Sequence, residues 1–166
     1  MRTVYHVASD CSEYEQGIDG YWPPIHRTFS GTETKDKYEN IIEATRAGRY
    51  PSLPSRLYAL FVAKDKDSVF RWAKEKYKSG TQCFYLYELQ YDEEDKKNQL
   101  CWFDSEKILD VRGIAMGAES YWKSCSIEAS DYPYEGLLIG RPQIIGKTKY
   151  KYCSESDTIV EEPMMQ

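Results

Sequence analysis

The sequence predicts an α+β chain, and three stretches carry that prediction. Residues 56–63 (RLYALFVA) form a nearly unbroken apolar run of strand length, the pattern of a strand covered on both faces. From Val69 the apolar residues Val69, Phe70, Trp72, Ala73 and Tyr77 recur at three- and four-residue steps, with Lys and Arg between them. That spacing makes a helix with one buried face. Residues 83–91 then alternate, Glu88 and Gln90 being interleaved among aromatic and aliphatic side chains, as in a strand with unequal faces. Asp67 is placed to cap the helix and Gly80 to end it. Residues 50–91 thus read as one strand–helix–strand unit of βαβ size, through which the core should pass.

Length and composition bound what this unit belongs to. A chain of 166 residues, 41% hydrophobic and 14% aromatic, is long enough for one sizeable core and short for two, so a single domain is expected. Its fifteen tyrosines suit strands and ligand-stacking surfaces alike. A net charge of -5 argues against a surface built mainly for phosphate backbones. Met1 is followed by Arg2 and a short strand-like segment rather than a signal sequence, and no apolar run approaches membrane-spanning length. A soluble, cytoplasmic protein is expected. Five widely spaced cysteines (Cys11, Cys83, Cys101, Cys125, Cys153) with no C-x-x-C pair suggest reduced thiols, with neither a metal site nor a disulfide framework.

Taken in order, residues 3–8 (TVYHVA) read as a first strand carrying His6, one of two histidines. A lone strand histidine is more often structural than catalytic. The segment Tyr21-Trp22-Pro23-Pro24 is stiff and extended, suited to walling a pocket or closing one end of the core. Ser30 and Glu33 have capping-box spacing, and Tyr38, Ile41, Ile42 and Thr45 recur at helical steps to Gly48, giving a helix over about residues 32–47. Pro51 and Pro54 then bracket a rigid loop that delivers Ser55 and Arg56 to the mouth of the central strand. An arginine entering an apolar strand needs a partner: a carboxylate of the fold or a ligand pyrophosphate, whose oxygens suit its planar fork. Tyr58, on the same run, is either core or a stacking platform.

Residues 92–99 read as a charged loop. Residues 100–103 (LCWF) and 107–111 (KILDV) look like two short strands around a turn at Asp104-Ser105. Residues 113–122 suggest a short helix despite two glycines. After a polar stretch, residues 134–140 (YEGLLIG) open a strand with Glu135 at its entrance, and residues 143–146 begin a final strand. A carboxylate leading into LLI beside Gly136 is either solvated at a strand edge or placed at a site. The domain is expected to span 1–153, with residues 154–166 a flexible tail.

Taken together, the Tyr5-His6 strand, the PSRLYALFVA strand with its following helix, and Tyr121-Trp122 followed by Tyr134-Glu135-Gly136-Leu137-Leu138 resemble the ADP-ribosyltransferase superfamily. The chain is similar to small bacterial and phage proteins of that layout over residues 3 to about 147. The resemblance implies a split, mainly antiparallel β-sheet with flanking helices that clamps NAD as co-substrate. It implies that His6 holds the adenosine ribose, that Ser55 or Tyr58 lines the nicotinamide pocket with Arg56 near the phosphates, and that Glu135 contacts the nicotinamide ribose as the catalytic carboxylate. The Gln-x-Glu or Glu-x-Glu pair of arginine-directed members is absent, since Pro133 stands two residues before Glu135, and Glu128 is a rival carboxylate.

The implied activity is mono-ADP-ribosyl transfer from NAD to a protein or nucleic-acid acceptor, with NAD hydrolysis as the enzymatic alternative. A role as a toxin or in phage–host conflict, with an antitoxin or inhibitor partner, fits that layout. The second class of function is a non-catalytic binding or inhibitory protein that holds a macromolecular partner on an aromatic-rich surface, with Trp22, Trp122 and the tyrosines as interface.

Overall fold

The computed structural model describes residues 1–8, 20–27, 34–77, 80–110, 112–129 and 132–163. The described chain is α+β, with three α-helices and seven strands in two sheets that are mainly antiparallel. It divides into two compact units. One comprises Met1–Pro23, Val62–Asp95 and Arg141–Gln166; the other comprises Pro24–Phe61 and Lys96–Gly140. No helix among the described residues is long and apolar enough to cross a membrane.

The first unit is built on a four-stranded sheet of order β1-β3-β6-β7, with β1 Arg2–Ala8, β3 Thr81–Tyr91, β6 Gln143–Cys153 and β7 Thr158–Glu162. All three pairings are antiparallel, with His6 opposite Tyr87 and Tyr85 opposite Lys149. Alternation along β3 sends Phe84 and Leu86 to the face covered by helix α2 (Lys66–Lys76), where they pack with Val69 and Ala73. Tyr87 is buried through contact with Trp22, which stands edge-on to it at 4.9 Å and edge-on to His6 at 4.8 Å. Trp22 is 1% exposed, so of its two readings the Tyr-Trp-Pro-Pro segment takes the core-closing one.

The second unit holds the sheet of order β2-β5-β4, with β2 Leu60–Val62, β4 Gln99–Asp104 and β5 Tyr134–Ile139; the chain passes into the first unit at Val62. Helices α1 (Thr34–Arg49) and α3 (Ile114–Lys123) pack together with this sheet around Ile42, Phe103, Tyr121, Trp122 and Leu137. The Trp122 indole N–H donates to the Ile42 carbonyl at 2.8 Å, so its one polar atom is satisfied inside the core. Cys101 and Cys125 share a thiol hydrogen bond here, and burial followed by that neighbour pushes the Cys101 thiol up to about 12. Cys83, Cys101, Cys125 and Cys153 are free thiols.

Several expectations change on contact with the structure. The strand expected over residues 56–63 is confined to Leu60–Val62, because the Tyr58 N–H donates to the Ser55 carbonyl at 3.1 Å and curls residues 55–58 into a turn. Strands β2 and β3 lie in different sheets, so the strand–helix–strand run is not a single-sheet βαβ unit. Asp65, not Asp67, caps α2: its carboxylate accepts from the Ser68 N–H at 2.8 Å. The helix ends at Lys76, and Gly80, at φ +76, turns the chain into β3.

Residues expected as a strand over 107–111 fall partly in a 3-10 helix, Ser105–Leu109, because the Asp104 carboxylate accepts from the Glu106 N–H and starts a helical turn. Part of the expected tail forms β7, since Ile159 and Val160 gain backbone partners opposite Tyr152 and Lys151. The Ser30 and Glu33 capping box lies outside the described residues.

Gly117 marks a close approach. A Cβ there would stand 2.3 Å from the Ile108 carbonyl oxygen, so only glycine lets α3 lie this near the 3-10 helix. Gly117→Ala is expected to destabilise the protein by about 1–3 kcal/mol in urea unfolding, because the obstruction is backbone that cannot rotate away. An unchanged unfolding midpoint would show that the two helices separate freely.

Candidate functional site

The turn at residues 55–58 places Arg56 at the centre of a side-chain cluster in the second unit. Arg27 fixes the turn from outside: its guanidinium Nη1 donates to the Arg56 and Ala59 carbonyls at 2.9 and 2.6 Å, and its N–H donates to the Leu57 carbonyl at 2.8 Å. The Arg56 side chain is buried, its guanidinium carbon 4.6 Å from the Phe61 ring centre and 5.1 Å from that of Tyr121. Its Nε and Nη2 donate to the two oxygens of Glu39 at 2.8 and 2.9 Å, a bidentate fork. Its Nη1 donates to the Tyr121 hydroxyl at 2.8 Å and to Glu135 Oε1.

The Tyr121 hydroxyl completes the ring of contacts by donating to the same Glu135 Oε1 at 2.6 Å. Burial, then the Glu135 carboxylate, pushes the Tyr121 hydroxyl well above its ordinary range, so it stays protonated and remains a donor. Burial alone would lower Arg56, but Glu135, Tyr121 and Glu39 outweigh it and hold the guanidinium well above its ordinary value. Glu135 Oε2 takes no hydrogen bond from the described residues, and its side chain is 14% exposed. The arrangement is therefore a carboxylate with one oxygen locked and the other open. Arg56 is thus shared between two carboxylates, Glu39 and Glu135.

A second acidic contact lies beside it. Glu43, one helical turn from Glu39 on α1, accepts from Arg46 Nε at 2.8 Å and from the Ser55 hydroxyl at 2.9 Å. The hydroxyl proton of Ser55 is thus committed within the protein. Tyr58 is half exposed, its ring 5.2 Å from that of the exposed His26.

The structure thus joins Arg56 and Glu135 directly and sets Ser55 in the same turn, while Tyr58 presents an accessible ring two residues on. Of the two partners open to Arg56, it meets carboxylates of the fold. His6 belongs to the first unit, on β1, buried against Trp22. The rival Glu128 is exposed in a turn where the Ser126 hydroxyl bonds its backbone N–H and carbonyl at 3.0 and 3.1 Å. Glu135, by contrast, sits in a built setting. Glu39 and Tyr121 are the members that the sequence did not single out as partners. One signal was available: Glu39 and Glu43 stand at i,i+4 on one helix, a like-charged spacing that is unfavourable unless each meets a cation. Among the described residues, no group of three or more His, Cys, Asp or Glu is placed to hold a metal ion.

Fold and site together define an α+β protein whose second unit centres on a buried arginine shared by two glutamates and a tyrosine. The chain belongs to the DUF2441 family, described as a protein of unknown function, whose model matches residues 15–153. No curated protein matches the chain.

Proposed function

We propose that this protein is a mono-ADP-ribosyltransferase of the ADP-ribosyltransferase-like fold, acting on NAD with Glu135 as its catalytic carboxylate. The observation that supports this most is the geometry of Glu135: Oε1 is held by Arg56 and Tyr121, while Oε2 takes no hydrogen bond from the described residues. Cleavage breaks the bond between the ribose anomeric carbon and the nicotinamide nitrogen, and the electron pair leaves with neutral nicotinamide. The ribose develops oxocarbenium character, so a fixed carboxylate beside it stabilises charge that exists mainly in the transition state. The acceptor nucleophile then bonds to the anomeric carbon and gives up its proton. Because the leaving group needs no protonation, one carboxylate plus positioning groups suffices.

Two further features support the reading. Glu135 is the second residue of a late strand, β5, as the resemblance expects of the group contacting the nicotinamide ribose. Tyr58 offers an accessible ring for nicotinamide, whereas Ser55 has spent its hydroxyl proton on Glu43. Arg56, with its donors on Glu39, Tyr121 and Glu135, works here by holding Glu135 rather than by meeting phosphates.

The test is incubation of the purified protein with NAD and a cell extract, following nicotinamide and label. Nicotinamide release with a labelled macromolecule is expected; free ADP-ribose alone would mean hydrolysis instead. The same closure of Arg56 on protein partners favours one second reading, a binding protein in which this cluster only stabilises the fold. Thermal denaturation with NAD separates the two. A bound nucleotide adds RT ln(1 + [L]/Kd), about 2.7 kcal/mol at roughly a hundred times Kd, whereas no shift at millimolar NAD supports the binding protein.

A further inference from the structure

We infer that Tyr121 and Glu39 are positioning residues that set which oxygen of Glu135 faces the reacting bond. The inference rests on Glu135 being the carboxylate that acts on NAD. A free glutamate on an edge of a site rotates about its terminal torsion and presents either oxygen. Here rotation is opposed from two directions. Tyr121 donates to Oε1 from α3 at 2.6 Å, and Arg56 Nη1 donates to the same atom from the turn before β2.

The second donor is aimed by Glu39. Its two oxygens take Nε and Nη2 at 2.8 and 2.9 Å, so the planar guanidinium has one remaining nitrogen, Nη1, and its in-plane direction is fixed toward Tyr121 and Glu135. Phe61 and Tyr121 hold the plane itself, their ring centres 4.6 and 5.1 Å from the guanidinium carbon. Oε2 is thereby left as the atom free to meet a ribose hydroxyl or the positive charge growing beside it. Glu39 acts at two removes, through Arg56, and needs no contact with NAD.

Tyr121→Phe removes one donor to Oε1 and keeps the ring, which stacks on Phe103 at 5.0 Å. Glu39→Gln keeps the shape and unlocks the fork. Nicotinamide release and the NAD-dependent thermal shift are measured for both variants beside the unaltered protein. Each variant is expected to lower kcat about 10- to 100-fold, the scale of a small misplacement of a catalytic group, while KM and the NAD-induced shift hold within about twofold. A variant that raises KM with kcat intact, or leaves both parameters unchanged, overturns the positioning role. Should Tyr121→Phe reduce the folded yield, the kcat and KM of Glu39→Gln decide the matter. An unaltered protein that releases no nicotinamide sinks the reading of Glu135 itself, and the positioning role with it.

Discussion

Glu135→Gln is expected to lower nicotinamide release from NAD by roughly 100- to 1000-fold, the scale seen when a group that stabilises transition-state charge is removed. The substitution preserves shape. A glutamine carbonyl still accepts from Arg56 Nη1 and from the Tyr121 hydroxyl, so the contacts that hold position 135 survive. What disappears is the negative charge on the open oxygen. Arg56 is then balanced by Glu39 alone, a neutral pair, so folding should be little affected and the lost rate is attributable to chemistry. Unchanged circular dichroism and an unchanged NAD-induced thermal shift, beside a lost rate, are the expected results. Glu128→Ala serves as the comparison, since Glu128 lies exposed in a turn and should retain full turnover. If Glu128→Ala abolishes release and Glu135→Gln does not, the catalytic role belongs to Glu128.

How far such a site can be read from sequence depends on how local its causes are. Helix α2 and strand β3 were legible because their periods of 3.6 and two are set by residues close along the chain. The sequence alone does not separate Asp65 from Asp67 as the cap, because both offer the same chemistry and only backbone geometry decides which carboxylate meets the Ser68 N–H. Strand β7 carries no local signal, because the isolated stretch TIVEE is polar at both ends. Its order comes from pairing with β6. Glu135 could be suspected from its position at the mouth of an apolar strand, and Arg56 from the cost of burying it unpaired. Their union could not, since the two lie 79 residues apart. Tyr121 and Glu39, 65 and 17 residues from Arg56, were hidden for the same reason: long-range pairing is a property of the packed chain.

Arg56→Met is expected to cause the largest loss of stability of any single change at this site, about 3–5 kcal/mol in urea unfolding. Methionine fills the space against Phe61 and Tyr121 but leaves Glu39 and Glu135 without their shared cation, each side chain 14% exposed. The cost comes from leaving two largely buried carboxylates without their cation, not from lost packing. That origin makes a second outcome predictable. Adding Glu39→Gln and Glu135→Gln to Arg56→Met removes the stranded charges, and the triple variant should recover a large part of the loss, though not the activity. Arg56→Lys should fall between the two, because a single ammonium keeps the charge but cannot grip Glu39 with two parallel bonds and reach Glu135 as well. If Arg56→Met unfolds at nearly the same urea concentration as the unaltered protein, the carboxylates are solvated, and the rigid setting claimed for Glu135 does not exist.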